Sequence, residues 1–224
     1  MKLFLSLLLI IAASLYADEP HILRPHHIQR TDPVVIGDLV YSQAFGSYIN
    51  GIGINSGSDQ WLCDDFVLDG DYYLTDIYTW MIWTGATAST MNLVISEDDL
   101  NDSDPNTNTD VWAESVPCIN TFTGYTAWGY DLYETHCIID ADLYPELYEG
   151  IHYYFEIQAE VVFGCITLVS DNNIGDSCWY DNGGGTWVEG MVYFGSPTDM
   201  FFAFYGEPVS ALESGTWGSI KTLF

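Results

Sequence analysis

The sequence predicts an all-β domain, an antiparallel β-sandwich of jelly-roll type with eight or so strands. Three observations predict it. Apolar and polar side chains alternate with period two, most clearly where Tyr153, Phe155, Ile157 and Ala159 oppose His152, Tyr154, Glu156 and Gln158. The extended runs are bounded by Gly, Asp, Asn or Pro, which supply turn conformations. After the N-terminal apolar run no 3.6-residue period is found, so the apolar faces must meet sheet on sheet rather than helix on sheet.

In chain order, Lys2 precedes an apolar run from Leu3 to Leu15 that ends at Ala17, followed abruptly by Asp18-Glu19-Pro20. This has the form of a secretory signal peptide, 1–17, because the run is shorter than the roughly 20 residues a bilayer span needs and ends in a small residue suited to cleavage. Residues 18–33 read as a flexible leader. Its His21, His26 and His27 are close enough for a transition metal, but chain termini are usually untethered. The β domain is expected over 34–208, with a tail at 209–224.

Within the domain, the stretch from Trp61 to Trp83 reads as a hairpin turning at Asp69-Gly70-Asp71. On its second run Ile77, Thr79, Met81 and Trp83 share one parity, and Asp76, Tyr78, Trp80 and Ile82 the other, so that strand should be covered on both faces. Met91 to Ile95 is a strand, Val111-Trp112 opens the next, and an alternating run carries Tyr133, Thr135, Cys137 and Ile139. The 152–159 strand follows, then a long loop broken by Trp179-Tyr180. Strands at Trp187 to Phe194 and Met200 to Tyr205 close the domain.

Charge narrows the partners. Thirty of the 32 Asp and Glu residues lie between Thr31 and Ile220, where there is no Lys or Arg; the other two are Asp18 and Glu19. Nucleic acid and anionic lipid are poor partners for such a body, whereas cations screen its self-repulsion. The most polar stretch places Asp102, Asp104, Asn106, Asn108 and Asp110 at every second residue, a set of hard oxygen donors suited to calcium. It departs from an EF-hand, with Thr107 where Gly is wanted and Ala113 where Glu is wanted, so an ordinary solvated acidic loop is the alternative. Asp64 and Asp65, beside an apolar Phe66, should meet backbone donors or a metal, and Asp65 is a second calcium candidate, since a bare buried carboxylate is costly.

Five cysteines in an exported chain permit disulfides. The expected pairs are Cys118 with Cys137 and Cys165 with Cys178, leaving Cys63 as a buried thiol or an intermolecular link. Nucleophile-elbow, HExxH and phosphate-loop motifs are absent, and His136 and His152 lie on strand-like runs where a hydrogen-bonded structural role is expected. The aromatics are numerous, with 16 Tyr and 8 Trp, and those in or beside loops can stack on sugar rings: Trp128, Tyr130, Trp179, Tyr180 and Trp187. At least half of the chain's aromatics are expected to fill the core instead.

The Asp64-Asp65-Phe66 signature, the Thr-Gly-Tyr…Trp-Gly-Tyr corner from Thr123 to Tyr130 and the closing segment from Asp199 to Gly206 resemble uncharacterised secreted bacterial β-sandwich domains. The tail, Trp217-Gly218-x-Ile220-Lys221, resembles short C-terminal segments of exported bacterial proteins and implies a sorting role. The resemblance implies fold and export, not a reaction. The expectation is therefore a secreted, non-catalytic module of the cell surface or extracellular matrix, binding glycans or other surface proteins and stiffened by calcium. The alternative is a secreted polysaccharide hydrolase with paired carboxylates.

Overall fold

The computed structural model describes residues 37–43, 48–98, 100, 103–170, 177–195 and 197–209. The expected signal peptide (1–17) and leader (18–33), the expected tail beyond Val209, and Asp102 lie outside the described residues. The strands are β1 (Asp38–Ser42), β2 (Tyr48–Gly53), β3 (Gln60–Val67), β4 (Tyr72–Trp83), β5 (Thr90–Glu97), β6 (Thr109–Ala127), β7 (Tyr130–Ile138), β8 (Glu146–Leu147), β9 (His152–Ala159), β10 (Cys165–Ser170), β11 (Trp179–Asn182), β12 (Val188–Glu189), β13 (Asp199–Met200) and β14 (Phe202–Pro208). All paired strands are antiparallel, in the order β1-β14-β4-β7-β6-β5-β9-β3-β11-β12, with β10, β13, β2 and β8 attached beside that path.

The 19-residue β6 explains how one sheet makes two layers. Its first half, to Pro117, pairs with β5, and from Cys118 onward it pairs with β7. The half containing β5, β9, β3, β11 and β12 is called here the groove half, and the half containing β7, β4, β14, β1 and β10 the β4 half. Their apolar faces meet through rings from both: Phe66 and Phe204 at 4.8 Å between centroids, Phe155 and Phe202 at 5.2 Å, and Tyr41 and Phe66 at 5.7 Å. Removing one such fully buried Phe costs about 3–5 kcal/mol.

β4 is covered on both faces. Ile77, Met81 and Trp83 join the main core, while Ile82 and its partly buried neighbour Trp80 join a second small cluster with Ala127, Leu132 and Leu168. β9 buries Tyr153, Phe155, Ile157 and Ala159 against the core as its alternation predicts, but Tyr154 and Gln158 of the opposite parity are buried as well, so the strand is not half-exposed. Gly206 sits at a register shift against β4, where a Cβ would stand 2.6 Å from the Tyr73 carbonyl oxygen, so the closing strand needs glycine there.

Three expectations are corrected. β3 and β4 are not a hairpin: β3 pairs with β9 and β11, β4 with β7, β14, β10 and β8. The Asp-Gly-Asp turn instead carries the chain from one layer to the other, because β4, buried on both faces, takes partners on both edges. The run from Trp187 to Phe194 is only a two-residue strand followed by one helical turn, α1 (Gly190–Phe194), closed by Gly195 at φ 75°. Finally, the cysteines are all free thiols. Cys165 packs its sulfur 3.8 Å from that of Met81, and Cys178 lies 3.3 Å from Thr198 Oγ1, so the two take different neighbours. Cys118 and Cys137 stand opposite each other on β6 and β7 as thiols, and Cys63 is buried.

Candidate ligand-binding face

The strands of the groove half alternate, so every second side chain points away from the core, and residues opposite each other in register share that outer face. One rung runs Trp179, Cys63, Glu156, Val94, Ala113 across five strands. The neighbouring rung holds Asp181 opposite Trp61, and Gln158 opposite Asn92 opposite Ser115. Between these rungs lies a shallow groove of about 380 Å³ lined by Trp61, Asn92, Val94, Ala113 and Ser115, with Leu93 and Glu114 of the opposite parity completing its lining.

The groove has a polar floor of linked side chains. Ser115 Oγ donates to Asn92 Oδ1 at 2.7 Å, and Asn92 Nδ2 donates to Gln158 Oε1 at 3.0 Å. Gln158 Nε2 donates to Asp59 Oδ1 at 3.3 Å, and the same oxygen accepts the Trp61 indole N–H at 3.1 Å. This chain fixes the Trp61 ring at the groove edge. Each amide carries two N–H donors and a carbonyl with two lone pairs, so Asn92 and Ser115, which reach solvent, keep hydrogen-bonding capacity beyond these links.

Glu156 borders this floor. Burial, then the charge of Asp110, pushes its carboxyl up to about 7, opposed by the Ser96 hydroxyl at 3.4 Å. Further along the same face His152 bridges two carboxylates, Nε2 to Asp65 Oδ2 and Nδ1 to Asp98 Oδ2, both at 2.9 Å. The Asp65 hydrogen bond, seconded by Asp98 and opposed by burial, raises its pKa to about 9. His152 is thus a cation at neutral pH in a body that has no Lys or Arg.

The adjacent Asp64 points the other way, into the core. Its Oδ2 accepts the Met200 backbone N–H and its Oδ1 that of Asp65, the backbone donors a buried carboxylate needs. Burial and then Asp199 nevertheless hold its pKa well above the usual carboxylate range. The second histidine, His136, is buried on the β4 half, with Nε2 2.6 Å from Asp76 Oδ1 and its ring stacked on Tyr78 at 4.2 Å.

The residues singled out by sequence are scattered. Trp179 shares the groove face, two strands from Glu156, and its indole nitrogen is buried with no hydrogen-bond partner among the described residues. Tyr180, next to it, points into the core and spends its hydroxyl on Asn182 and Gln60. Trp187 is tied by its backbone to both side-chain atoms of Asn106. Trp128 and Tyr130 lie at the tip of the β6–β7 hairpin. In the acidic loop Asp104 caps a short 3-10 turn by accepting the Asn106 N–H, Asn108 Nδ2 lies 3.5 Å from Ser96 Oγ, and Asp110 stands opposite Ser96. Asp65 is engaged with His152. Among the described residues no group of three or more His, Cys, Asp or Glu side chains is placed to hold a metal ion.

Sequence reasoning passed over Trp61, Asn92, Ser115 and Gln158 as a site. They come from four strands, and no local spacing joins them. No known family model matches the chain, and no curated protein matches it.

Proposed function

We propose that the protein is an exported, non-catalytic β-sandwich module of the cell surface or extracellular matrix that binds carbohydrate on the outer face of its groove half. The observation that carries this reading is the Trp61 ring fixed beside the Ser115–Asn92–Gln158–Asp59 chain. An aromatic face with a few placed polar groups is how proteins bind a ring that is apolar above and below and hydroxylated at its rim. Retention of the protein on immobilised polysaccharides, compared with Trp61→Ala, tests it: retention by both proteins alike, or by neither, refutes the reading.

Calcium enters the proposal through the acidic loop. Asp102, Asp104 and Asp110 are hard oxygen donors. A melting midpoint unchanged across millimolar calcium and chelator removes that part.

A second reading, polysaccharide hydrolysis, is favoured by one observation. Glu156, which keeps its proton up to about 7 at the margin of the groove with the Asp110 charge acting on it, has the property of a general acid. Release of reducing ends by the wild type and not by Glu156→Gln would establish it in place of simple binding.

A further inference from the structure

We infer that the ligand of the Trp61 groove is a cationic glycan, a polymer of deacetylated amino sugars whose free ammonium groups sit among the carboxylates that border the groove. This rests on the carbohydrate reading above and names the class of sugar. The argument is one of charge complementarity on an open surface that sets an indole ring beside amide and hydroxyl groups.

Among the described residues, the formal charges bordering the groove are negative or able to become so. Asp59 holds the Trp61 indole, Glu156 borders Val94, and Asp110 lies one rung further on. No Lys or Arg lies between Thr31 and Ile220, so among the described residues no cation on a long side chain compensates them. His152, the one cation of this face considered above, is occupied on both ring nitrogens by Asp65 and Asp98. A uronic acid or sulfated sugar would meet uncompensated repulsion here. A neutral sugar would gain the indole face and the amide floor only. An amino sugar gains both of those and an ammonium–carboxylate contact, and its ammonium can also lie against the indole face as a cation–π pair.

Glu156 is the carboxylate this assignment singles out. Its burial disfavours the anion, and a bound ammonium beside it would reverse that preference by giving the carboxylate a charge partner. A cationic peptide would share the charge complementarity but not the ring-sized aromatic and amide floor. It is therefore the control, not the proposed ligand.

The test is calorimetric titration of the mature chain with glucosamine oligomers, with the same oligomers N-acetylated, with glucose oligomers of equal length, and with oligolysine. The glucosamine oligomer should bind at least about tenfold tighter than its acetylated and neutral counterparts, and added salt should erode that margin. Glu156→Gln should narrow the margin severalfold. Trp61→Phe, which keeps a ring, should retain part of the binding that Trp61→Ala loses; both variants are first checked for a wild-type melting profile. Equal affinity for charged and acetylated oligomers overturns the inference and leaves carbohydrate binding standing. No binding to any sugar overturns both, as does oligolysine binding as tightly as the glucosamine oligomer with no dependence on Trp61.

Discussion

Two groups of surface aromatics differ in what surrounds them. At the tip of the β6–β7 hairpin Phe122, Tyr125, Trp128 and Tyr130 are each close to half exposed. Trp61, in the groove, is less exposed than any of these. Exposure alone would choose the hairpin tip. Yet Trp128 takes φ 51° and Gly129 φ 80°, the pair of left-handed conformations that a two-residue hairpin turn demands and that a bulky residue rarely accepts at its first position. Its ring lies over β2, 3.1 Å from where a Cβ on Gly51 would stand. Trp128 thus fastens the hairpin to β2. Trp61 is held by a hydrogen bond to Asp59 and borders a floor of amides and a hydroxyl. On the proposed reading, what marks a sugar site is polar groups set against an aromatic ring, and the amount of exposed ring is secondary.

The largest effect that separates the two groups is on binding. Trp61→Ala should weaken polysaccharide affinity by about 2 kcal/mol or more, the loss expected for a central aromatic anchor, while Trp128→Ala combined with Tyr130→Ala should leave it within about twofold. A reversed pattern would move the site to the hairpin.

The pH dependence of stability comes next and also belongs to the groove half. His152 is raised to about 9 from 6.5, so its contribution is fully present below 6.5 and lost as pH rises through 9. Glu156 is raised to about 7 from 4.5, so the folded chain keeps a proton the unfolded chain releases, and stability falls as pH rises from 4.5 through 7. Both act in one direction because stability falls with pH wherever the folded state binds more protons. Thermal melts should therefore show a midpoint that declines from about pH 5 to pH 9, and the double variant Glu156→Gln, His152→Gln should flatten that decline. A midpoint that climbs over this window would contradict the assignment of both groups.

Smaller effects test the floor and its buried neighbour. Asn92→Ala, removing the link between Ser115 and Gln158, should cost about 1 kcal/mol of binding, near fivefold, by titration against the same polysaccharide. Tyr180→Phe should leave binding unchanged and lower stability by about 1 kcal/mol in denaturant melts, because its hydroxyl serves Gln60 and Asn182 inside the fold.

Much of the fold could be read from local pattern. Period-two alternation marks β9, the two apolar parities of β4 foretell a strand covered on both faces, and the chemistry of a buried carboxylate foretells the backbone donors on Asp64. The misread features depend on long-range pairing. Asp69-Gly70-Asp71 supplies the same turn chemistry whether the chain folds back on itself or crosses to the other layer, and only the partners of β3 and β4 decide which. Cysteine spacing likewise cannot say that Cys165 and Cys178 have different neighbours. The site is the extreme case, since residues 61, 92, 115 and 158 become neighbours only when β3, β9, β5 and β6 lie side by side. Tyr180 shows the converse: beside Trp179 in sequence, it faces the core because adjacent strand residues point to opposite sides.

The most direct test is a titration of one immobilised polysaccharide series with wild type, Trp61→Ala and Trp128→Ala side by side. The groove assignment predicts binding by the wild type and Trp128→Ala and its loss in Trp61→Ala with an unchanged melting profile; binding that survives Trp61→Ala would contradict it.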